Sequence, residues 1–224
     1  MNTPKAKLWF GFLASLVLIG LVLFVSAGTL QYGLAWITLG VIAVASLPLM
    51  EFTARDPILL ENRTRTGPAA EQRPLQRIIV AASGLFALST FVVPGLDHRF
   101  GWSDVPLWLW LAGDFLILLS LWMVYRVFRE NSFGSATVEI GKDQQVVSTG
   151  PYAIVRHPMY ASAAVFFAGT ALALGSYWGL VPAALTVLGL VWRLFDEEEF
   201  LAASLPGYAD YRARVRWRLI PGIF

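Results

Sequence analysis

The chain has 224 residues, of which 57% are hydrophobic and 14% charged, and its mean hydropathy is +0.61. This composition excludes a disordered chain and a basic nucleic-acid-binding domain, and it indicates an integral membrane protein. Because the chain has no Cys and two His, it cannot form a disulfide or a thiolate metal site. We therefore expect neither a nucleic-acid partner nor a bound metal.

Long uncharged runs predict the transmembrane helices. A crossing needs about 20 mostly apolar residues, and four such runs are Leu8–Ala27, Leu30–Met50, Ile78–Leu96 and Val105–Tyr125. A fifth apolar stretch, Met159–Trp192, is nearly twice as long, and Gly175 and Ser176 near its middle favour a turn. The sequence therefore predicts an all-α, polytopic membrane protein with about six transmembrane helices, of which the last two form a helical hairpin.

The positions of Lys and Arg predict the orientation. Of the 17 Lys and Arg residues, 16 flank the same ends of the predicted helices, and Arg99 alone lies at the opposite ends. Because cytoplasmic loops are enriched in these residues, we expect both termini in the cytoplasm, and an inner or cell membrane location in a bacterium. Lys5, Lys7 and the small residues 25–27 also resemble a cleaved signal peptide, although the apolar run is longer than usual for one.

The first cluster of polar residues is GPYAIVRHPMY, residues 150–160. Pro158 favours the first turn of a helix, which makes His157 the residue at its N-terminal cap. Arg156 and His157 would then stand beside unpaired backbone N–H groups and form an anion site. Tyr152 and Tyr160 offer faces for a cation or an adenine ring. Alternatively, Arg156 only follows the charge bias of the loops, and the two Tyr only lie at the membrane interface.

The second cluster is RLFDEEEFL, residues 193–201. Arg193 and Glu197 are four residues apart and share one face of a helix. Alternatively, they form an ion pair at the membrane surface while Glu198 and Glu199 are solvated. A hairpin returns both of its ends to one side of the membrane, so the two clusters would border a single pocket.

Other charged residues have less specific interpretations. Four Arg at period two near the C-terminus predict an extended segment that binds anionic lipid or covers the pocket. For the acid within the fourth helix we favour a buried hydrogen bond to a neighbouring helix, and for two acids near the end of the second helix we expect surface positions. The four Arg are Arg212, Arg214, Arg216 and Arg218. The acid within the fourth helix is Asp114, and the two acids near the end of the second helix are Glu51 and Asp56.

Taken together, GPYAIVRHPMY, then RLFDEE after a hairpin, then GYADY and RLIP, resemble the isoprenylcysteine carboxyl methyltransferase family of integral membrane enzymes, in a prokaryotic form. The similarity extends from about residue 131 to the C-terminus. It implies that residues 131–224 form a methyltransferase-like core that binds S-adenosylmethionine at the cytoplasmic face, beside a cavity open to lipid. Residues 1–130 would supply the four preceding transmembrane helices.

The resemblance also implies the roles of individual residues. Glu197 would contact the cofactor and Arg193 would face the methyl acceptor, and we expect both to be catalytic. The other implied cofactor contacts are Gln144, Gln145, Val146, Val147, Tyr152, His157, Pro158, Met159 and Tyr160.

The acceptor implied by the family is the carboxylate of a prenylated cysteine that enters from the bilayer. A carboxylate with a pKa near 3.5 is ionised at neutral pH, so its methylation needs no general base. Arg193 would align this acceptor, and His157 at a helix start suits the carboxylate of the cofactor. Open alternatives are a thiol S- or phospholipid N-methyltransferase, an NADPH-dependent membrane reductase of the sterol-reductase type, and a non-catalytic membrane partner or small transporter.

Overall fold

The computed structural model describes residues 3–64, 67–71, 73–133 and 145–224. Within these ranges the chain forms eight α-helices and two short 3-10 helices, and it contains no β-strand. The predicted all-α fold is therefore confirmed. The α-helices are α1 (Pro4–Ala27), α2 (Gly33–Arg55), α3 (Pro57–Thr64), α4 (Pro74–Phe100), α5 (Leu107–Glu130), α6 (Pro158–Ala173), α7 (Leu180–Ser204) and α8 (Tyr208–Arg214), and the 3-10 helices are Pro68–Ala70 and Gly150–Ala153.

Four of these helices, α1, α2, α4 and α5, are long and apolar enough to cross a membrane. With 23 to 27 residues each, they exceed the hydrocarbon thickness of roughly 30 Å. They coincide with the four predicted apolar runs, and each continues into neighbouring polar residues, such as Gln76 and Arg77 in α4. Large apolar side chains on them are exposed, among them Phe10 and Leu85, as expected for helices that contact lipid. The protein is thus an integral membrane protein.

The predicted hairpin is present as α6 and α7, joined by residues 174–179. Gly175 adopts a φ of +69°, which favours glycine because it has no Cβ. The Ser176 hydroxyl donates to Asp97 of α4, and the Tyr32 hydroxyl donates to the Leu174 carbonyl. α6 has only 16 residues, and α7 carries charged residues from Arg193 onward. Neither is among the four helices that are long and apolar enough to cross a membrane.

Glycine allows α6 to pack closely against α5. A Cβ at Gly169 of α6 would lie 2.9 Å from the Gly113 carbonyl oxygen of α5, and a Cβ at Gly113 would collide with the backbone of α6. Small residues at such a crossing let two backbones approach. α4 packs against α7 on the other arm. Both arms of the hairpin are therefore held by long transmembrane helices.

Most of the Lys and Arg residues collect at one end of the bundle, which we call the Arg-rich end. It comprises α3, α8, the ends of α2, α5 and α7, and the starts of α1, α4 and α6. α3 is fixed there by Asp56, which accepts hydrogen bonds from the backbone N–H groups of Ile58 and Leu59, both at 3.0 Å, and from the Ser132 hydroxyl at 2.5 Å. Asp56, predicted to be a surface charge, is half-buried and also anchors the start of α3. Glu51 is exposed, as predicted, and lies 2.8 Å from Arg55.

The C-terminal segment packs over the start of α6. Arg212 and Arg214 lie in α8, so the predicted extended structure is wrong for them, whereas residues 215–217 are not helical. The backbone N–H groups of Arg156 and His157 donate to the carbonyls of Trp217 and Arg218, both at 2.9 Å. The segment thus supplies partners for backbone donors that precede α6.

Asp114 joins two membrane helices. It is 8% exposed, and the Thr38 hydroxyl of α2 donates to its Oδ1 at 3.3 Å. The predicted hydrogen bond to a neighbouring helix is confirmed.

Candidate functional site

The two predicted clusters meet at the hydroxyl of Tyr160. This hydroxyl accepts a hydrogen bond from Arg193 Nε at 2.9 Å and donates one to Glu197 Oε2 at 2.5 Å. Tyr160 lies in the first turn of α6, while Arg193 and Glu197 lie one turn apart near the end of α7. The hairpin therefore brings the first and second clusters together, as predicted.

Arg193 has an ion-pair partner that sequence analysis missed. Its Nη2 lies 2.7 Å from Oε1 of Glu71, and the two residues are 7% and 1% exposed. Glu71 belongs to the segment between α3 and α4. Arg193 is buried and pairs with Glu71, and the Tyr160 hydroxyl lies between Arg193 and Glu197. The alternative of a surface ion pair between Arg193 and Glu197 is therefore wrong.

The segment around Glu71 is held against α7. Arg73 Nη1 lies 2.7 Å from Oδ2 of Asp196, and the Gln76 side-chain amide donates to the same carboxylate. Arg77 Nε donates to the Glu71 carbonyl at 2.7 Å. These contacts fix the start of α4 next to the end of α7, which keeps the Glu71 carboxylate beside Arg193.

Glu198 forms a second buried group with the residues that precede α6. Its carboxylate lies 2.6 Å from Arg156 Nε, 3.2 Å from His157 Nε2 and 3.1 Å from Arg218 Nε. Burial alone would raise the pKa of Glu198, but the hydrogen bonds from His157 and Arg156 outweigh burial and lower it to about 2. Glu198 is only 3% exposed, so the alternative in which it is solvated is wrong.

This arrangement changes the predicted role of Arg156 and His157. Both side chains are buried and turned to Glu198. The anion predicted beside them is therefore an internal carboxylate. Glu199, the next residue of α7, is exposed as predicted.

The surroundings of Tyr160 and Met159 are aromatic. The Tyr160 ring stacks on that of His157, with 5.6 Å between the ring centroids. The Tyr152 hydroxyl accepts from the Asn131 side-chain amide at 3.0 Å, and burial raises the pKa of Tyr152. Tyr152 and Met159 pack against the same apolar cluster at the end of α5.

The remaining predicted cofactor residues are placed as follows. Val146 is half-buried and packs in a cluster with Tyr152, Tyr208 and Tyr211. Val147 is half-buried, Gln145 is exposed and Pro158 is buried. Gln144 lies outside the described residues.

Two further polar side chains near the site were missed. Nε of Arg63, in α3, is buried without a hydrogen-bond partner among the described residues, and burial lowers the pKa of Arg63 to about 10. The Tyr208 hydroxyl is likewise buried without a partner in the described ranges. Burial and the charges of Glu198 and Glu197 raise the pKa of Tyr208. Arg63 belongs to no pattern that indicates a site. Tyr208 lies in the GYADY string, but only the fold shows that its hydroxyl is near the site.

Metal chemistry has no evident ligands in the described part of the chain. Among these residues, no group of three or more His, Asp or Glu side chains is arranged to hold a metal ion. The arrangement instead combines aromatic faces, a carboxylate and a guanidinium around one hydroxyl, which suits an organic ligand with charged and aromatic parts.

The site lies in a region that matches a known family. The phospholipid methyltransferase family model matches residues 108–206, less than half of the chain. No curated protein matches the chain. The matched range runs from α5 to the end of α7 and includes Tyr160, Arg193 and Glu197. The region that holds the candidate site is therefore similar to the phospholipid methyltransferases, and this similarity points to a membrane methyltransferase.

Proposed function

We propose that the protein is a methyltransferase that uses S-adenosylmethionine and acts on a lipophilic acceptor at the Arg-rich end. The observation that carries this proposal is the Tyr160 hydroxyl, which links the buried Arg193 to the half-buried Glu197. The family match over the same residues supports it.

The residues at the site fit this cofactor. S-adenosylmethionine carries a sulfonium cation, an adenosine and an α-carboxylate. Tyr152 and Tyr160 offer aromatic faces for the cation or the adenine ring, and Glu197 offers a carboxylate for the ribose hydroxyls or a positive group. Arg63 Nε and the Tyr208 hydroxyl are buried polar atoms without partners among the described residues, which leaves them available to a ligand or to water. When bound, the cofactor supplies an electrophilic methyl group.

The protein side chains would contribute orientation and exclusion of water. Tyr160 and Glu71 hold Arg193 in one position, so the guanidinium is ordered before a ligand arrives. Arg193 and Glu71 are buried, and a site with little water strips the nucleophile of its hydration. We propose Glu197 as a cofactor contact and Arg193 as the residue that faces the acceptor.

A carboxylate acceptor, as in an isoprenylcysteine, is the first candidate substrate. It needs no general base because it is already ionised. Arg193 would bind it with paired hydrogen bonds. However, Glu71 already lies 2.7 Å from Arg193, so such an acceptor must displace Glu71 or share the guanidinium with it.

A phospholipid amine is the second candidate, and the Arg193–Glu71 pair favours it. An amine does not compete with Glu71 for the guanidinium. With Arg193 neutralised by Glu71, the carboxylate of Glu197 would attract the protonated head group and accept its proton, which frees the nitrogen lone pair to attack the methyl group. The name of the matched family agrees with this acceptor class.

We further propose that the Arg-rich end and both termini lie in the cytoplasm and that the acceptor enters from the bilayer. Membrane-protein loops rich in Lys and Arg face the cytoplasm. A lipophilic acceptor partitions into the bilayer and reaches the site along the helices rather than through water.

Transfer of a labelled methyl group tests this function. The purified protein in lipid nanodiscs receives S-adenosylmethionine with a labelled methyl group, together with either a farnesylated cysteine or phosphatidylethanolamine. We expect label in the organic extract with one of these acceptors, loss of labelling in Glu197→Ala, and normal labelling in Glu199→Ala, which changes an exposed neighbour. Absence of labelling with both acceptors, together with oxidation of added NADPH by an unsaturated sterol, would instead support a reductase.

A further inference from the structure

Among the described residues, Arg63 is a cation without a counterion at the edge of the candidate site. No carboxylate in the described part of the chain forms an ion pair with it, and its buried Nε has no hydrogen-bond partner there. Its Nη2 contacts Met159 Sδ at 2.9 Å, and its guanidinium carbon lies 4.4 Å from the centroid of the Phe128 ring.

Arg63 as a whole is half-buried and its Nε is buried, and these contacts do not replace the hydration that the guanidinium has lost. A thioether sulfur is a weak acceptor, and a cation over Phe is a weaker contact than an ion pair. Buried charges in proteins are normally paired. The fall in the pKa of Arg63 to about 10 has the same origin, because burial disfavours the charged form.

The position of Arg63 is nevertheless well defined. Asp56 fixes the start of α3, and the Asn62 side-chain amide donates to the Ser132 carbonyl at 3.2 Å. These contacts tie α3 to the end of α5. Arg63 is therefore held beside Met159 by the structure around it, although the guanidinium has no anionic partner in the described ranges.

The neighbours of Arg63 are the residues proposed to hold the cofactor. It contacts Met159 and Phe128 directly, and Tyr152 packs against the same apolar cluster as these two residues. Arg193, in contrast, has Glu71 as a partner. The unpaired cation thus lies on the cofactor side of the site.

We propose that Arg63 binds an oxyanion of the ligand, and specifically the α-carboxylate of the methyl donor. This inference rests on the proposed function. It also gives the carboxylate of the methyl donor a partner other than Arg156 and His157. Those two residues, predicted to form an anion site, already contact the Glu198 carboxylate. A guanidinium and a carboxylate form a charge-assisted pair, which would compensate for the burial of Arg63.

Two adenosine thioethers that differ in the carboxylate test the assignment. S-adenosylhomocysteine carries the amino-acid group, whereas 5′-methylthioadenosine lacks it. We compare their dissociation constants by calorimetry for the wild type and for Arg63→Met, which keeps an apolar stem over Phe128. We expect the variant to bind S-adenosylhomocysteine about tenfold or more weakly and to bind 5′-methylthioadenosine within about twofold of the wild type.

Two further variants provide controls. Arg55→Met removes a positive charge from the exposed Arg55–Glu51 pair and should bind both ligands as the wild type does. Arg63→Lys keeps the charge but not the planar fork, so its loss of S-adenosylhomocysteine affinity should be smaller than that of Arg63→Met. The thermal unfolding temperature of ligand-free Arg63→Met should not fall, because the substitution removes an unpaired charge rather than a satisfied one.

Four outcomes would overturn the assignment. Equal losses for both thioethers in Arg63→Met, or a lower unfolding temperature without ligand, would indicate a structural role. Unchanged S-adenosylhomocysteine binding with a raised KM for a phospholipid acceptor would assign the oxyanion to the acceptor. If Arg63→Met does not fold, the wild type is titrated with decarboxylated S-adenosylhomocysteine instead. Binding as tight as that of the intact compound would refute the assignment. Failure of the folded wild type to bind either thioether would refute the proposed function itself.

Discussion

The Tyr160 hydroxyl lies between Arg193 and Glu197, at 2.9 Å from the guanidinium Nε and 2.5 Å from the carboxylate Oε2. A hydroxyl can donate one hydrogen bond and accept others, so a single group serves both charges. Tyr160 begins one arm of the hairpin, and its two partners end the other. The geometry of the hairpin and the integrity of the site therefore depend on each other.

Loss of this hydroxyl should reduce activity without loss of the fold. Tyr160→Phe keeps the ring and removes both hydrogen bonds, so Arg193 and Glu197 lose their common partner. We expect kcat/KM for methyl transfer to fall by about 10- to 100-fold. Tyr160→Phe combined with Glu197→Gln should cost less than the sum of the two single effects. Fully additive effects in this double-mutant cycle would show that the hydroxyl does not couple the two motifs.

Neutralising Glu71 should destabilise the protein. Glu71→Gln leaves the buried charge of Arg193 without its carboxylate, and breaking a buried ion pair in this way costs about 3–5 kcal/mol. Glu51→Gln, which affects the exposed pair with Arg55, should change stability by at most about 1 kcal/mol. Thermal unfolding in detergent compares the two variants.

The same substitution reports on the class of acceptor. If Glu71 competes with a carboxylate acceptor for Arg193, Glu71→Gln should lower the KM for a prenylated cysteine. With an amine acceptor it should not, because the amine does not occupy the guanidinium. A lower KM for the carboxylate compound, accompanied by detectable turnover, would thus contradict the preference for an amine.

Acid should release the contacts of Glu198 only at low pH. The folded pKa of Glu198, about 2, lies below the ordinary value of 4.5. Stabilisation by the ionised carboxylate is therefore complete above about pH 4.5 and is lost as the pH falls through about 2. We expect the difference in unfolding temperature between wild type and Glu198→Gln to be constant from about pH 7 to 5 and to narrow below about pH 4.5. Narrowing between pH 7 and 5, absent from the control Glu199→Gln, would disprove the interpretation.

Two tyrosines of α8 should respond differently to removal of the hydroxyl. The Tyr211 hydroxyl donates to the Tyr152 carbonyl at 2.9 Å, so Tyr211→Phe should lower stability by about 1 kcal/mol. The Tyr208 hydroxyl has no partner among the described residues, so Tyr208→Phe should leave the ligand-free protein unchanged or more stable. Thermal unfolding of the two variants without ligand gives the comparison, and a larger loss for Tyr208→Phe would contradict it.

The transmembrane helices were predictable because a run of about 20 apolar residues by itself indicates a membrane-spanning helix. The four runs and the Gly175 turn appear directly in the sequence, and the convergence of Tyr160 with Arg193 and Glu197 follows once the hairpin is assumed. Helix ends were less predictable, since polar residues such as Gln76 and Arg77 continue a helix without lengthening its apolar run.

The partners of the charged residues were not predictable. Arg73 and Asp196 are 123 residues apart, and neither pattern nor spacing links the segment between α3 and α4 to the end of α7. The same holds for Glu71 and Arg63, whose segments are short and polar. Only packing shows that Glu71 neutralises Arg193, that Glu198 occupies Arg156 and His157, and that Arg63 lacks a carboxylate in the described ranges.

Calorimetric titration of the purified protein with S-adenosylhomocysteine tests the central claim most directly. The account predicts micromolar binding that is lost in Glu197→Ala and kept in Glu199→Ala, while NADPH gives no heat of binding. Binding of NADPH instead, or S-adenosylhomocysteine affinity unchanged in Glu197→Ala, would contradict the claim that the Tyr160, Arg193 and Glu197 cluster holds a methyl donor.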